Sequence, residues 1–338
     1  MGLFTKNIGI DLGTSNTLVY TRGSGIVLKE PSVVALDKTT SKVLAVGEMA
    51  NEMIGRTPDT IVAVRPMKDG VVADFDITQA LLRNFIKTAR GTSVFKPRVV
   101  ICVPSGITEV EKRAVEEAAI TAGAREVILI DEPIAAAIGA GLPITDPTGC
   151  MVVDIGGGTT EVAVICLGGM VASKSIRIGG DAMDASIMNY IKKNYSLNIG
   201  DKMAEEIKIA IGSAYDDGTD VQCELRGRDV STGLPRAVMV KASDIREAMK
   251  ENINEIIEAI RVTHEHTPPE LAADVLEGGI VLTGGGALTK GIDKLIFETL
   301  KIPAQVAESP LDCVAIGTGK SLDNIKQIIL WNQYDNKL

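Results

Sequence analysis

The sequence predicts an α/β protein made of two related halves, and three observations carry that expectation. Strand-like and helix-like segments alternate along all 338 residues. An acidic hairpin pattern occurs twice, as NIGIDLGTSNTLVY (7–20) and MVVDIGGGTTEVAV (151–164). In each copy an apolar run meets an Asp, then a glycine-containing turn with hydroxyls, then a second apolar run. The length also suits about two domains of roughly 100–200 residues each.

In chain order, RVVICVP (98–104) has the composition of a buried strand. TEVEKRAVEEAAITAG follows as a helix, with Thr108 and Glu111 at capping-box spacing and Gly123 at its end. EVILID (126–131) is again a strand, and PIAAAIGAGL a small-residue helix with Pro133 in its first turn. Two prolines and a glycine make LPITDPTG (142–149) the hinge candidate before the second hairpin (152–165). Beyond it the pattern predicts a helix over about 181–193, a second in KMAEEIKIAIGSA, and a β-rich stretch VQCELRGRDVSTGLPRAVMVK. A long helix from 243 to about 262 then carries an apolar stripe of Ile245, Met249, Ile253, Ile256, Ile257 and Ile260. GIVLTGGGA closes the pattern as a strand entering a glycine turn ahead of another helix.

Composition narrows the function classes. With 35 basic and 44 acidic residues the net charge is −9, which argues against a nucleic-acid binder needing a basic face. Five scattered cysteines without C-x-x-C spacing read as reduced, buried thiols. The start MGLFTKNIGID reaches an Asp before a signal-peptide apolar region forms, and Lys6 breaks the myristoylation pattern. No run of about 18 apolar residues appears, so the expectation is a soluble, cytoplasmic protein.

The hairpins have a definite chemistry. A glycine turn exposes successive backbone N–H groups and lets a ligand approach closely. Thr14, Ser15, Asn16, Thr159 and Thr160 add side-chain donors, so the turns suit phosphate oxygens. Each hairpin also carries an Asp, which repels phosphate unless a cation lies between. Asp11 and Asp154 therefore point to Mg²⁺ held through water. Rival nucleotide motifs fit badly. VAIGTGKS has Val314 where a Walker A loop needs its first Gly, and Glu161 and Thr289 replace the third glycine of a dinucleotide fingerprint.

The three glycine loops, in this order, resemble those of the actin, sugar-kinase and seventy-kilodalton heat-shock ATPase superfamily. IGIDLGTSNT is similar to its first phosphate motif, MVVDIGGGTTEVAV to its second and GIVLTGGGALTKGI to its adenosine motif. RPMKDGVVADF, CVPSGITEVEKRAV, LRGRDVSTGLPR, TPPELAAD and SPLDCVAIGTG narrow the likeness to the MreB family of bacterial actins, over roughly residues 7 to 325. The resemblance implies an actin-like ATPase fold closing over ATP and Mg²⁺. It divides the chain into domain I (1–146, small subdomain about 33–65, joined by a C-terminal helix about 312–338) and domain II (147–311, small subdomain about 182–243). ILIDEPIAAAIGAGL and AIGTGKSL would be the helices beneath the hinge.

The same resemblance implies that Glu132 and Thr159 position the attacking water. Nucleotide binding would fall to Gly13, Thr14, Ser15, Asn16, Gly156, Gly157, Gly158, Thr159 and Thr160. Glu205 and Lys208 would lie near ribose and adenine, opposite Gly284, Gly285, Gly286, Ala287 and Leu288. It implies paired, antiparallel protofilaments of the chain with itself, contact with membrane morphogenesis proteins, and a peripheral place on the inner membrane surface. Two anchors are candidates there: Leu3 and Phe4 in MGLFTK, and Val94 and Phe95 in GTSVFKPR, each beside basic residues. A sugar or acetate-type kinase on this fold would need an acceptor pocket, and a chaperone ATPase a further C-terminal domain; no motif supports either. His264 and His266, in THEHTPP, follow a helix without nearby Cys and are read as cations at a helix end rather than metal ligands.

Overall fold

The computed structural model describes residues 7–323. Two five-stranded sheets dominate it. The first runs in the order Glu126–Asp131, Arg98–Val103, Ile8–Leu12, Asn16–Thr21, Gly25–Pro31. The second runs Ala304–Val306, Ile280–Thr283, Cys150–Ile155, Thr160–Cys166, Gly169–Ile176. Order and sense agree strand for strand. In each sheet a central strand pairs antiparallel with its hairpin partner on one side and parallel with a later strand on the other. The two acidic hairpins thus occupy the same place in two copies of one topology. Their central strands are covered on both faces, which is why they read as near-continuous apolar runs rather than alternating ones.

Alternation still decides which core each residue enters. Val99, Ile101 and Val103 face the first half's own core, under the helices Phe75–Arg90 and Glu109–Ala122. Val100 and Cys102 point the other way. They join Ile128 and Ile130 in a core shared with Val152, Ala163 and Ile165 of the second sheet. The second half's own core gathers the helices Gly180–Tyr195, Asp201–Ile211 and Ala242–Glu265. All six stripe residues of the long helix are buried there.

Between the sheets two helices cross, and they are themselves a matched pair. Glu132–Ala140 follows the last strand of the first sheet, and Cys313–Ser321 follows the last strand of the second. A Cβ on Gly139 would fall 1.8 Å from the Cys313 carbonyl oxygen, and one on Gly317 would fall 1.8 Å from that of Ala135. Each glycine meets the residue four before its counterpart, a two-fold-like crossing with backbone on backbone. Only glycine permits this approach.

Local signals explain the element ends. Thr108 and Glu111 form a reciprocal capping box, and Gly123 ends that helix at φ 119°. Gly141 ends the next at φ 78°. The hinge candidate 142–149 is anchored to the turn beyond the second hairpin, because Leu167 and Gly168 donate their N–H groups to the carbonyls of Asp146 and Ile144. Two three-stranded sheets flank the main ones: Val43–Val46, Val34–Asp37 and Ile61–Val64, then Leu197–Asn198, Gln222–Asp229 and Pro235–Lys241. The expectation of buried thiols holds for Cys102 and Cys313. Cys150, Cys166 and Cys223 are half-exposed, and all five are free. Among the described residues no helix is long and apolar enough to cross a membrane.

Candidate functional site

The turns of the two hairpins face each other. A Cβ on Gly157 would stand 2.2 Å from Ser15 Oγ, and one on Gly158 would stand 2.6 Å from Thr14 Oγ1. The glycines of the second turn are therefore what admits the hydroxyls of the first. Thr14 Oγ1 accepts the Gly70 N–H at 3.1 Å, and Ser15 Oγ donates to Asp181 Oδ1 at 3.3 Å. A cavity of about 440 Å³ opens between the halves at this point.

Asp11, Asp154 and Glu132 all line that cavity. Cys102 donates its thiol to Asp11 Oδ1 at 3.4 Å, and Thr283 donates its hydroxyl to Asp154 Oδ1 at 2.6 Å. Burial, then the Asp154 carboxylate, pushes Asp11 up to about 7, against the pull of the Cys102 hydrogen bond. Burial lifts Asp154 to about 6. Glu132 is raised well above the usual range by burial and then by Asp154, Glu161 and Asp11. The charges acting most strongly on these groups are all carboxylates, so ionising the cluster is unfavourable, and a cation would relieve that repulsion.

The donor set discriminates among cations. Asp11, Cys102 and Glu132 can bring one ligand atom each within 4.8 Å of one another. The Cys102 thiol is pushed well up by burial and by Asp11 and Glu132, which keeps it protonated and a poor ligand. Carboxylate oxygens remain, and they suit a hard ion such as Mg²⁺.

The cavity collects most of the residues expected from sequence. Gly13, Thr14, Ser15 and Asn16 line it from the first turn, and Gly156, Gly157, Gly158 and Thr159 from the second. Glu205, Lys208, Gly284, Gly285, Gly286 and Leu288 line its far side. Two do not join them. Thr160 is fully buried, its hydroxyl given to the Ile178 carbonyl at 2.7 Å, because alternation along the strand turns it away from Thr159. Ala287 is buried in the second core. Lys208 is tied down, its Nζ 3.0 Å from the Gly180 carbonyl and 2.9 Å from Asp184 Oδ2. Part of the third loop's glycine signal is packing: a Cβ on Gly284 would lie 2.4 Å from the Ile155 carbonyl oxygen.

Sequence reasoning placed a helix at about 181–193, close to the observed Gly180–Tyr195, but missed that its start borders the site. Gly180 and Asp181 donate their N–H groups to the carbonyls of Gly156 and Gly157, so this helix end is bonded onto the second turn, and Asp181 and Asp184 line the cavity. The pair Gly179-Gly180 ahead of an amphipathic helix was the available signal, since helix N-termini suit anions. Val94 and Phe95 are 84% and 54% exposed, whereas Leu3 and Phe4 lie outside the described residues. His266 Nδ1 sits 2.6 Å from the Val262 carbonyl, a helix-end contact, and neither histidine belongs to a ligand cluster among the described residues.

Comparison with known proteins finds a sequence-profile match to the MreB/Mbl protein family over residues 5–330. The chain is 52% identical to the cell shape-determining protein Mbl of Bacillus subtilis, covering 96% of this chain and 98% of that one. It is 54% identical to the cell shape-determining protein MreB of Escherichia coli, covering 96% and 95%. Among solved structures it resembles MreB5 of Spiroplasma citri. The ADP-bound crystal structure has a TM-score of 0.91 at 38% identity, covering 96% of this chain and 98% of that one. The AMPPNP-bound one has a TM-score of 0.91 at 37%, covering 99% of each.

Proposed function

The chain belongs to the MreB/Mbl family of actin-like proteins, and from that premise we propose that it is a Mg²⁺-dependent ATPase whose filaments determine cell shape at the inner membrane surface. The observation that carries the reading is the set of three carboxylates, Asp11, Glu132 and Asp154, lining one cavity walled by two phosphate-type turns. Similarity to MreB5 structures holding ADP and AMPPNP supports an adenine nucleotide as the occupant. Polymerisation follows from scale: one 35.7 kDa chain is far smaller than a cell, so a shape determinant of this size acts as an assembly of copies. Open-ended head-to-tail contacts generate such filaments. Val94 and Phe95, exposed beside Lys96 and Arg98, form an apolar and basic tip suited to anionic lipid. The domain division at 146/147, with the flanking three-stranded sheets in the small subdomains, belongs to the same reading.

Backbone N–H groups of the turns at 13–16 and 157–159 hold the phosphate oxygens, with the hydroxyls of Thr14, Ser15 and Thr159 beside them, while the Gly156 N–H closes the second turn on the Thr159 carbonyl. Mg²⁺, when bound near Asp11 and Asp154, neutralises phosphate charge that those carboxylates would otherwise repel. Glu132, at the first residue of its helix, orients a water in line with the terminal phosphate, and Thr159 holds it from the other side. Burial and the neighbouring carboxylates by themselves favour protonated Glu132; beside a bound cation it favours the carboxylate, the form that accepts a hydrogen bond from that water. Turnover of this kind depends on positioning, so it rises when assembly closes the cleft.

Purified protein with ATP and Mg²⁺ should sediment and appear as filaments by electron microscopy, on anionic liposomes most of all. Glu132→Ala should keep nucleotide affinity within about threefold while phosphate release falls by about 10²-fold. A protein that stays monomeric and phosphorylates a sugar or acetate would overturn the reading.

A further inference from the structure

We propose that Glu161 is a positioning residue for the hydrolysis proposed above, tying the Pro104–Ser105 turn of the first half to the second hairpin so that Thr159 and Glu132 keep their spacing across the cleft. The inference rests on that functional reading and on a geometry that exists without it. Glu161 is fully buried. Its Oε2 accepts the Ser105 N–H at 3.1 Å and the Ser105 hydroxyl at 2.5 Å, and its Oε1 accepts the Ser175 hydroxyl at 2.5 Å. Ser105 belongs to the first half and Ser175 to the second, so a single carboxylate bridges both.

The bridge leads to the reaction centre through packing. A Cβ on Gly70 would lie 2.6 Å from Pro104 Cγ and 3.1 Å from Thr159 Cγ2. Ser105, Pro104, Gly70 and Thr159 are thus stacked one on the next, and holding the first restrains the last. Ser105 also follows the strand Arg98–Val103, which pairs with Glu126–Asp131, the strand that delivers Glu132.

A purely structural role would favour a different residue. Glu161 stands directly opposite Asp154 in the hairpin register, and like charges so placed are destabilising. The matching place in the first hairpin is opposite Asp11, and there the chain has Leu18. A buried carboxylate beside another carboxylate, where leucine serves the same sheet position, breaks a local rule in the way functional sites do.

The experiment compares wild type, Glu161→Ala and Glu161→Gln by fluorescent-ATP titration with Mg²⁺, single-turnover phosphate release, and hydrogen exchange at the Ser105 amide. Glu161→Ala should leave nucleotide affinity within about threefold, slow phosphate release about tenfold or more, and speed exchange at Ser105. Glu161→Gln should recover most of the rate, because its amide oxygen still accepts the Ser105 N–H. If Glu161→Ala fails to fold, Ser105→Ala takes its place, with an expected loss of about threefold. Unchanged phosphate release in these variants, with wild type active and Glu132→Ala inactive, would overturn the positioning role and leave the ATPase reading standing. A wild type that neither binds ATP nor releases phosphate would overturn both. Exchange at Ser105 that does not respond to Glu161→Ala would overturn the bridge itself.

Discussion

One row of side chains crosses each five-stranded sheet at its acidic residue, and the two rows differ instructively. In the first half Cys102, Asp11, Leu18 and Lys29 stand side by side; in the second, Thr283, Asp154, Glu161 and Ser175 do. The aspartates match, each with a neutral donor on its parallel neighbour. The other members have diverged: apolar Leu18 and the cation Lys29, which pairs with Asp312 at 3.1 Å, occupy the places that Glu161 and Ser175, which bond each other, hold in the second half. A shared topology therefore repeats the carboxylate that both halves need at the cleft. The remaining places were free to become a buried leucine and an ion-paired lysine in one half and a polar bridge through buried Glu161 in the other.

The most severe test of this equivalence replaces the matched pair. Asp11→Asn and Asp154→Asn should each lower Mg²⁺-dependent phosphate release by about 10²-fold or more, and by similar factors, as followed across a Mg²⁺ titration. If one substitution is silent, the two rows are alike in position alone.

A second test addresses the matched helices. Gly139→Ala and Gly317→Ala each drive a methyl into a carbonyl, and each should cost about 3 kcal/mol in urea denaturation. Gly278→Ala, at the end of the helix Pro269–Gly278 with open space around its Cβ, should be neutral or gain up to about 1 kcal/mol. Tolerance of alanine at one crossing glycine alone would show that the two-fold-like contact is not shared equally.

The gentlest test is pH. Asp11 keeps its proton up to about 7 in the folded chain, while an ordinary Asp releases it near 3.8. Between those values the folded state binds more protons, so the stability contributed by Asp11 is full at low pH and is lost as pH rises toward 7. Without nucleotide and Mg²⁺, Tm should fall by roughly 5 °C between pH 5 and 7 on this account, and Asp11→Asn should flatten the slope. Asp154, lifted to about 6, should do the same over a narrower window.

Much of the site was legible because its signals are local. The capping box at Thr108, the glycine stop at 123 and the three glycine loops each lie within a few residues of sequence. Thr160 and Ala287 were drawn into the expected site by adjacency to true lining residues; strand alternation and core packing turn them inward. Asp181 and Asp184 went unseen because the Gly179-Gly180 pair marks the helix start without saying what it packs against, and an acid there is also what an ordinary solvated helix end carries. Lys208, expected beside the nucleotide, is bonded to Asp184, a partner on a different helix that no local signal reveals.

The sequence alone determined that two acidic glycine-turn hairpins exist, and that helices and strands alternate around them, since hydrogen-bonding propensity and side-chain period act over a single turn or strand. Tertiary structure decided that Asp11, Glu132 and Asp154 line one cavity, that Glu161 reaches Ser105, and that Gly139 and Gly317 carry the crossing. Those contacts join residues 56 or more positions apart for the bridge, and farther for the helices. Their energies come from burial and close approach, which exist only once both halves have packed.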